Sequence, residues 1–167
     1  RNLGVKQIIG VDPLGYRLEV SRKMGATHII NPFESDVVEA VRDITGGTLA
    51  DVVVEAVGLE ATLNQCVKLA RHSGTIVYFG VPMRENAEGV MKLRFGDMFF
   101  SEQHLVTSVG PNPHEDYTIA LDWIVQGRLD VRPIITHVMP LTQIQKAFEM
   151  AFGDPEKDKA IKIVLEV

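Results

Sequence analysis

The chain has 167 residues, 46% of them hydrophobic and 23% charged, enough for one domain that buries roughly 70% of its unfolded surface. Its formal net charge of -5 argues against nucleic acid or an anionic membrane as the main partner, because a phosphate backbone calls for a basic face. A lone cysteine, Cys66, excludes an internal disulfide and a cysteine-based zinc site; with no apolar run of ~18 residues and no signal peptide, the chain reads as soluble and cytoplasmic.

The first element is an apolar run, Gln7-Ile8-Ile9-Gly10-Val11-Asp12, too short for a helix and stopped by Pro13, which cannot extend a ladder. It reads as a buried parallel strand with a carboxylate at its tip. At the carboxyl end of such a strand in a doubly wound sheet, an Asp accepts hydrogen bonds from the hydroxyls of an adenosine ribose. That acid ordinarily follows a glycine-rich phosphate loop by about 20 residues. The chain therefore reads as starting inside its domain.

A helix from about Leu14 to Met24 follows, with Leu14, Leu18 and Met24 on one face and Gly25 as its stop. A short strand, His28-Ile29-Ile30-Asn31, ends at Pro32. Ser35 is placed to cap the next helix, in which Val37, Val38, Val41 and Ile44 share a face before Gly46 and Gly47. The strand Asp51 to Ala56 then turns at Val57-Gly58. The next helix carries Leu63, Cys66, Val67 and Ala70 inward and stops near Gly74, where a strand runs to Gly80.

From Met83 to Leu93 the pattern lapses into a polar surface loop, and Phe95, Met98, Phe99 and Phe100 form a short apolar helix. A strand is expected over His104 to Val109, and a helix from Tyr117 to Gln126 with Tyr117, Leu121 and Ile124 inward. Beyond Pro133, Ile134 to Pro140 is extended. Thr142 and Gln145 have the spacing of a capping box for a helix burying Ile144, Ala147, Phe148 and Ala151. Lys159 to Val167 is a last strand, with Ile161, Ile163, Leu165 and Val167 on one face. Strands separated by helices of this length make a parallel sheet with helices on both faces, hence an α/β fold. His137 in its extended apolar stretch reads as structural, His28, His72, His104 and His114 lack metal-ligand spacing, and Cys66 reads as core packing.

Five ordered motifs carry a resemblance over the whole chain: Val-Asp-Pro with Arg five residues after the Asp, Met-Gly-Ala-Thr-His with Ile-Asn-Pro, Asp-Val-Val-Val-Glu-Ala-Val-Gly, Ser-Gly-Thr-Ile-Val-Tyr-Phe-Gly-Val-Pro, and Ile-Thr-His-Val-Met-Pro-Leu. Together they resemble the medium-chain dehydrogenase/reductase superfamily, with the closest likeness to its zinc-containing polyol, threonine and alcohol dehydrogenases. The resemblance implies the C-terminal portion of such an enzyme. Residues 1–133 would be a Rossmann-type, NAD-binding domain, a doubly wound parallel sheet lacking its first strand, and 134–167 a helix-strand segment of the catalytic domain. The family's zinc ligands, proton relay and glycine motif would lie upstream, leaving this chain alone inactive, with the sheet incomplete between the strand at Gln7 to Asp12 and that at Asp51 to Ala56.

Carried over by position, the resemblance makes Asp12 the ribose-binding acid and Arg17 the basic residue along the same adenosine. Ala56-Val57-Gly58 matches the turn that closes over the adenine and ribose side. Phe79-Gly80-Val81 and Ser108-Val109-Gly110 match the strand ends that hold the nicotinamide ribose and carboxamide. Lys162 falls where many relatives have an Arg near the cofactor phosphates, and a Lys there acts as a point charge rather than a fork. The implied cofactor is NAD, with zinc expected in the full-length parent; the implied partners are a small alcohol or carbonyl substrate and further copies of the parent. The alternatives are a zinc-independent NADPH quinone or enone reductase of the same superfamily, a Rossmann-like methyltransferase, and a non-catalytic cofactor-binding module.

Overall fold

The computed structural model describes residues 3–82, 90–110, 112 and 114–167. The fold is α/β, and every strand pair in it is parallel. Two compact units divide the chain: Arg1–Ser35 with Asn112–Val167, and Asp36–Pro111.

The first unit opens with β1 (Ile9–Val11), α1 (Gly15–Lys23) and β2 (His28–Ile30). β1 and β2 pair in register Ile9 to His28 and Val11 to Ile30, and further bonds carry the contact one step beyond each end: Thr27 N–H and His28 N–H to Ile8 O at 2.8 and 3.1 Å, and Asp12 N–H to Ile30 O at 3.3 Å. Leu18 of α1 and Ile30 of β2 are buried. The unit resumes with α5 (Asp116–Val125), a 3-10 turn (Arg132–Ile134), β6 (Ile135–Pro140), α6 (Ile144–Phe152), α7 (Pro155–Asp158) and β7 (Lys162–Glu166). β6 and β7 form their own two-stranded sheet. Ile163 and Leu165 of β7 point inward while Lys162 and Glu166 are exposed, the alternation expected of a half-covered strand.

The second unit consists of α2 (Val37–Ile44), β3 (Ala50–Glu55), α3 (Glu60–Leu69), β4 (Ala70–Tyr78), α4 (Phe95–Phe100) and β5 (His104–Thr107), its three strands in the order β3-β4-β5. Among the described residues, no strand pairs with β3 on the side away from β4, or with β1 on the side away from β2. The core gathers Leu63, Cys66, Val67, Ala70, Ile76 and Tyr78, with Val53, Met91, Leu93 and Met98 packed against it. Ile76 is completely buried, a contribution of roughly 1.5–3 kcal/mol relative to an exposed side chain.

Several expectations are corrected. The cap of α2 is Asp36, whose carboxylate accepts from Val38 N–H at 2.8 Å and Glu39 N–H at 3.0 Å; Ser35 stands one residue too early and bonds back to Asn31 O instead. The capping box at α6 does not form. Gln143 is the cap residue, no side chain closes the helix end, and Gln145 bonds forward to Glu149. Helix α3 ends at Leu69, so Ala70 is buried as the first residue of β4 rather than on the helix, and the segment between Ala70 and Thr75 is a register shift against Ala50 to Val52. Tyr117, Leu121 and Ile124 of α5 are exposed, as are Ile144, Phe148 and Ala151 of α6, where Ala147 alone is buried. Periodicity reports which face is fit for burial, not whether an element covers it. Phe95, Phe99 and Phe100 are exposed for the same reason, and Val167 lies fully in solvent. Of the polar segment expected at Met83 to Leu93, all but 90–93 lies outside the described residues.

Candidate functional site

Asp12 stands at the tip of β1, as the sequence places it. One carboxylate oxygen accepts the Leu14 N–H at 2.8 Å, a turn that spans Pro13 and starts α1. The other lies 3.8 Å from the Arg17 guanidinium, with the Asp12 side chain 29% exposed. Arg17 in turn lies over the Tyr16 ring. Asp12 and Arg17 are thus brought together, with an acceptor left partly open to solvent. Lys162 is exposed at the start of β7, and its carbonyl accepts the Thr136 hydroxyl at 3.2 Å.

In the second unit the ends of β3 and β4 are bound to one another through a residue that sequence reasoning passed over. Glu55, the last residue of β3, is 2% exposed. Its carbonyl accepts from Phe79 N–H at 2.8 Å and Gly80 N–H at 2.9 Å. Its carboxylate accepts from Val57 N–H at 3.0 Å, from Gly58 N–H at 3.0 Å to each oxygen, and from the Thr62 hydroxyl at 2.6 Å. A buried carboxylate is tolerated when several donors surround it. Its place in an otherwise apolar strand was the available signal: Val-Val-Val-Glu before a turn calls for a partner for the acid.

Two glycines make this closeness possible. At Gly58, whose φ is +94°, a Cβ would run into the carbonyl of Val81, and at Gly80 a Cβ would run into the Gly58 backbone and the Glu55 carboxylate. Ala56, Val57, Phe79 and Val81 are exposed around them. At the end of β5, Ser108 N–H donates to Tyr78 O at 3.0 Å, and Ser108, Val109 and Gly110 are exposed. The seam between β3 and β4 thus collects Ala56, Val57, Gly58, Phe79, Gly80 and Val81, with Ser108 adjoining through β4.

Behind the seam, burial pushes the Cys66 thiol up to about 12, with the negative charge of Glu55 adding to the effect. The same two causes in the same order raise the Tyr78 hydroxyl. Neither group is suited to proton transfer near neutral pH.

Residues 1–126 match the family model described as zinc-binding dehydrogenase. The chain belongs to the zinc-binding dehydrogenase family. An alcohol dehydrogenase of Cupriavidus necator is 30% identical over 166 residues, covering 99% of this chain and 44% of that protein. An L-threonine 3-dehydrogenase of Caldanaerobacter subterraneus subsp. tengcongensis is 28% identical, covering 99% and 46%. Among solved structures, an alcohol dehydrogenase zinc-binding domain protein from Burkholderia ambifaria superposes with a TM-score of 0.84 at 28% identity, over 98% of this chain and 42% of that one. A short chain alcohol dehydrogenase from Escherichia coli CFT073, complexed with NADH, shares the fold with a TM-score of 0.82 at 21% identity, over 98% and 45%.

This zinc-binding dehydrogenase chain spans less than half the length of the curated relatives it matches. Among its described residues there is no group of three or more His, Cys, Asp or Glu that could hold a metal ion. Nor is any helix among the described residues long and apolar enough to cross a membrane.

Proposed function

We propose that the protein carrying this chain is an NAD-dependent alcohol or polyol dehydrogenase and that this chain supplies cofactor-binding residues. The observation that carries the reading is Asp12: a partly exposed carboxylate at a parallel strand tip, one oxygen engaged by the backbone and the other open apart from Arg17 at 3.8 Å. That arrangement fits a pair of ribose hydroxyls, each charge-assisted bond contributing roughly 1.5–3 kcal/mol. Arg17 lies along the adenosine, and Ala56, Val57, Gly58, Phe79, Gly80, Val81, Ser108, Val109 and Gly110 are assigned to the cofactor by their places at strand ends. Lys162 is assigned to the cofactor phosphates as a point charge. Residues 1–133 make up the cofactor-binding portion, and 134–167, with their separate β6-β7 sheet, belong with a catalytic domain. When bound, nicotinamide supplies the hydride acceptor for alcohol oxidation.

The choice of NAD over NADP follows from charge. A 2′-phosphate about 4 Å from the Asp12 carboxylate is repelled by roughly 4 kcal/mol at an effective dielectric of 20, reduced by solvent at a side chain this open. Arg17 offsets part of that. In the full-length protein, kcat/KM should favour NAD, and Asp12→Ser should shift the NAD-to-NADP ratio by roughly ten- to a hundredfold toward NADP, equivalent to about 1.4–2.8 kcal/mol. An unmutated protein that favours NADP, or a ratio unmoved by the substitution, would make Asp12 a turn residue only.

A further inference from the structure

We infer that Glu55 is a positioning residue for the cofactor, setting which hydrogen-bonding groups the β3-β4 strand ends present; the inference rests on the cofactor reading above. Where β3 ends, the Val57 and Gly58 N–H groups of the turn have no ladder to continue into and need acceptors, beside the Phe79 and Gly80 N–H groups that follow β4. The main-chain carbonyl of residue 55 takes Phe79 and Gly80, as any residue there would, and the Glu55 carboxylate takes Val57 and Gly58, the two donors that depend on its side chain. The Thr62 hydroxyl, from the first turn of α3, fixes one carboxylate oxygen at 2.6 Å.

The consequence is chemical. With the N–H groups of Val57, Gly58, Phe79 and Gly80 turned inward, the seam offers a ligand no backbone donors at these four positions; it offers exposed Val57, Phe79 and Val81 side chains. Such a surface suits the ring faces of a nucleoside, which pack on apolar groups. It does not suit a phosphate, which needs donors. Without the Glu55 acceptors, the Val57 and Gly58 N–H groups lose their partners, and Gly58 is free to leave the Val81 carbonyl it now packs against.

The test compares Glu55→Met, which keeps length and removes both acceptors, with Glu55→Gln, which keeps one acceptor oxygen for the same donors, in the full-length protein. Glu55→Met should raise the NAD KM at least tenfold, change kcat less than threefold, and speed amide hydrogen exchange at Val57 and Gly58 at least tenfold. Glu55→Gln should restore KM to within about threefold of the parent. If Glu55→Met fails to fold, Thr62→Val carries the test, with a roughly threefold rise in KM at constant kcat and faster exchange at the same two amides. A variant KM equal to the parent's, or a loss confined to kcat, overturns the positioning role. A parent that binds neither NAD nor NADP overturns the cofactor reading instead, and leaves the exchange result to show what Glu55 does to the turn.

Discussion

Cys66 illustrates how a single buried group registers the charge built beside it. Its thiol lies in the core cluster with Ile76 and Tyr78, and burial together with the Glu55 charge holds it at about 12, against 9.0 for the free group. A group bound more tightly to its proton in the folded state contributes stability that is fully present below the unfolded pKa and lost as pH rises through the folded one. Between pH 9 and 12 the unfolded chain ionises this thiol and the folded chain does not, which amounts to a few kcal/mol across the whole window. Cys66→Ala should therefore flatten the fall in stability between pH 8 and pH 10.5 relative to the parent, measured by urea unfolding, after a roughly constant penalty of about 1 kcal/mol for the lost volume. Parallel curves for the two proteins would mean that the folded thiol titrates normally.

Helix ends show what an element takes from a single neighbour. Asp36 accepts two N–H groups at the start of α2, and Ser35 accepts none. Asp36→Ala should lower stability by about 0.5–2 kcal/mol, whereas Ser35→Ala should stay within about 0.5 kcal/mol; chemical denaturation distinguishes them, and a reversal would return the cap to Ser35. The misplacement has a physical origin. Ser and Asp are both strong cap formers and stand next to each other, so composition locates the helix start to within one residue and the backbone turn after Asn31 decides the rest. The strands and most helices were legible because their apolar spacing has a period, as in Val37 and Val41 or Ile163 and Leu165. Asp12 was legible because it interrupts a strand just before Pro13. For Glu55 the sequence carries only the hint of an acid closing an apolar strand; a period-two reading gives that acid to solvent, and the donors that bury it come from Val57, Gly58 and Thr62, whose approach is a tertiary fact. The exposed faces of α5 and α6 were misread for the complementary reason that a stripe carries no record of its covering partner.

At the scale of the molecule, the exposed valines of β3, Val52 at 57% and Val54 at 59%, lie on a strand that among the described residues is paired on one side only, an edge of the kind that native proteins blunt or cover. The division of the chain has a further bearing. One unit is continuous, Asp36–Pro111, and the other is assembled from segments on either side of it. Within the split unit the Tyr16 hydroxyl reaches the carbonyl of Ala160 at 3.5 Å, so its two parts must meet. During synthesis the ribosome delivers Arg1–Ser35 before the inserted unit and Asn112–Val167 after it, with an interval on the order of 4–15 s at ~5–20 residues per second. The intervening unit has time to close on itself, since collapse and local pairing take far less than a second. Within the split unit the early part contributes the two-stranded β1-β2 pair and α1, and its complement in that unit arrives only with Asn112–Val167. Nascent chains arrested after the inserted unit has emerged should show protease protection across β3 to β5 while α1 remains cleavable, and protection of α1 should arrive only when β7 has left the exit tunnel. A binder of nascent apolar segments would find its target in Arg1–Ser35 during that interval, and the order of birth thereby becomes a property of the fold.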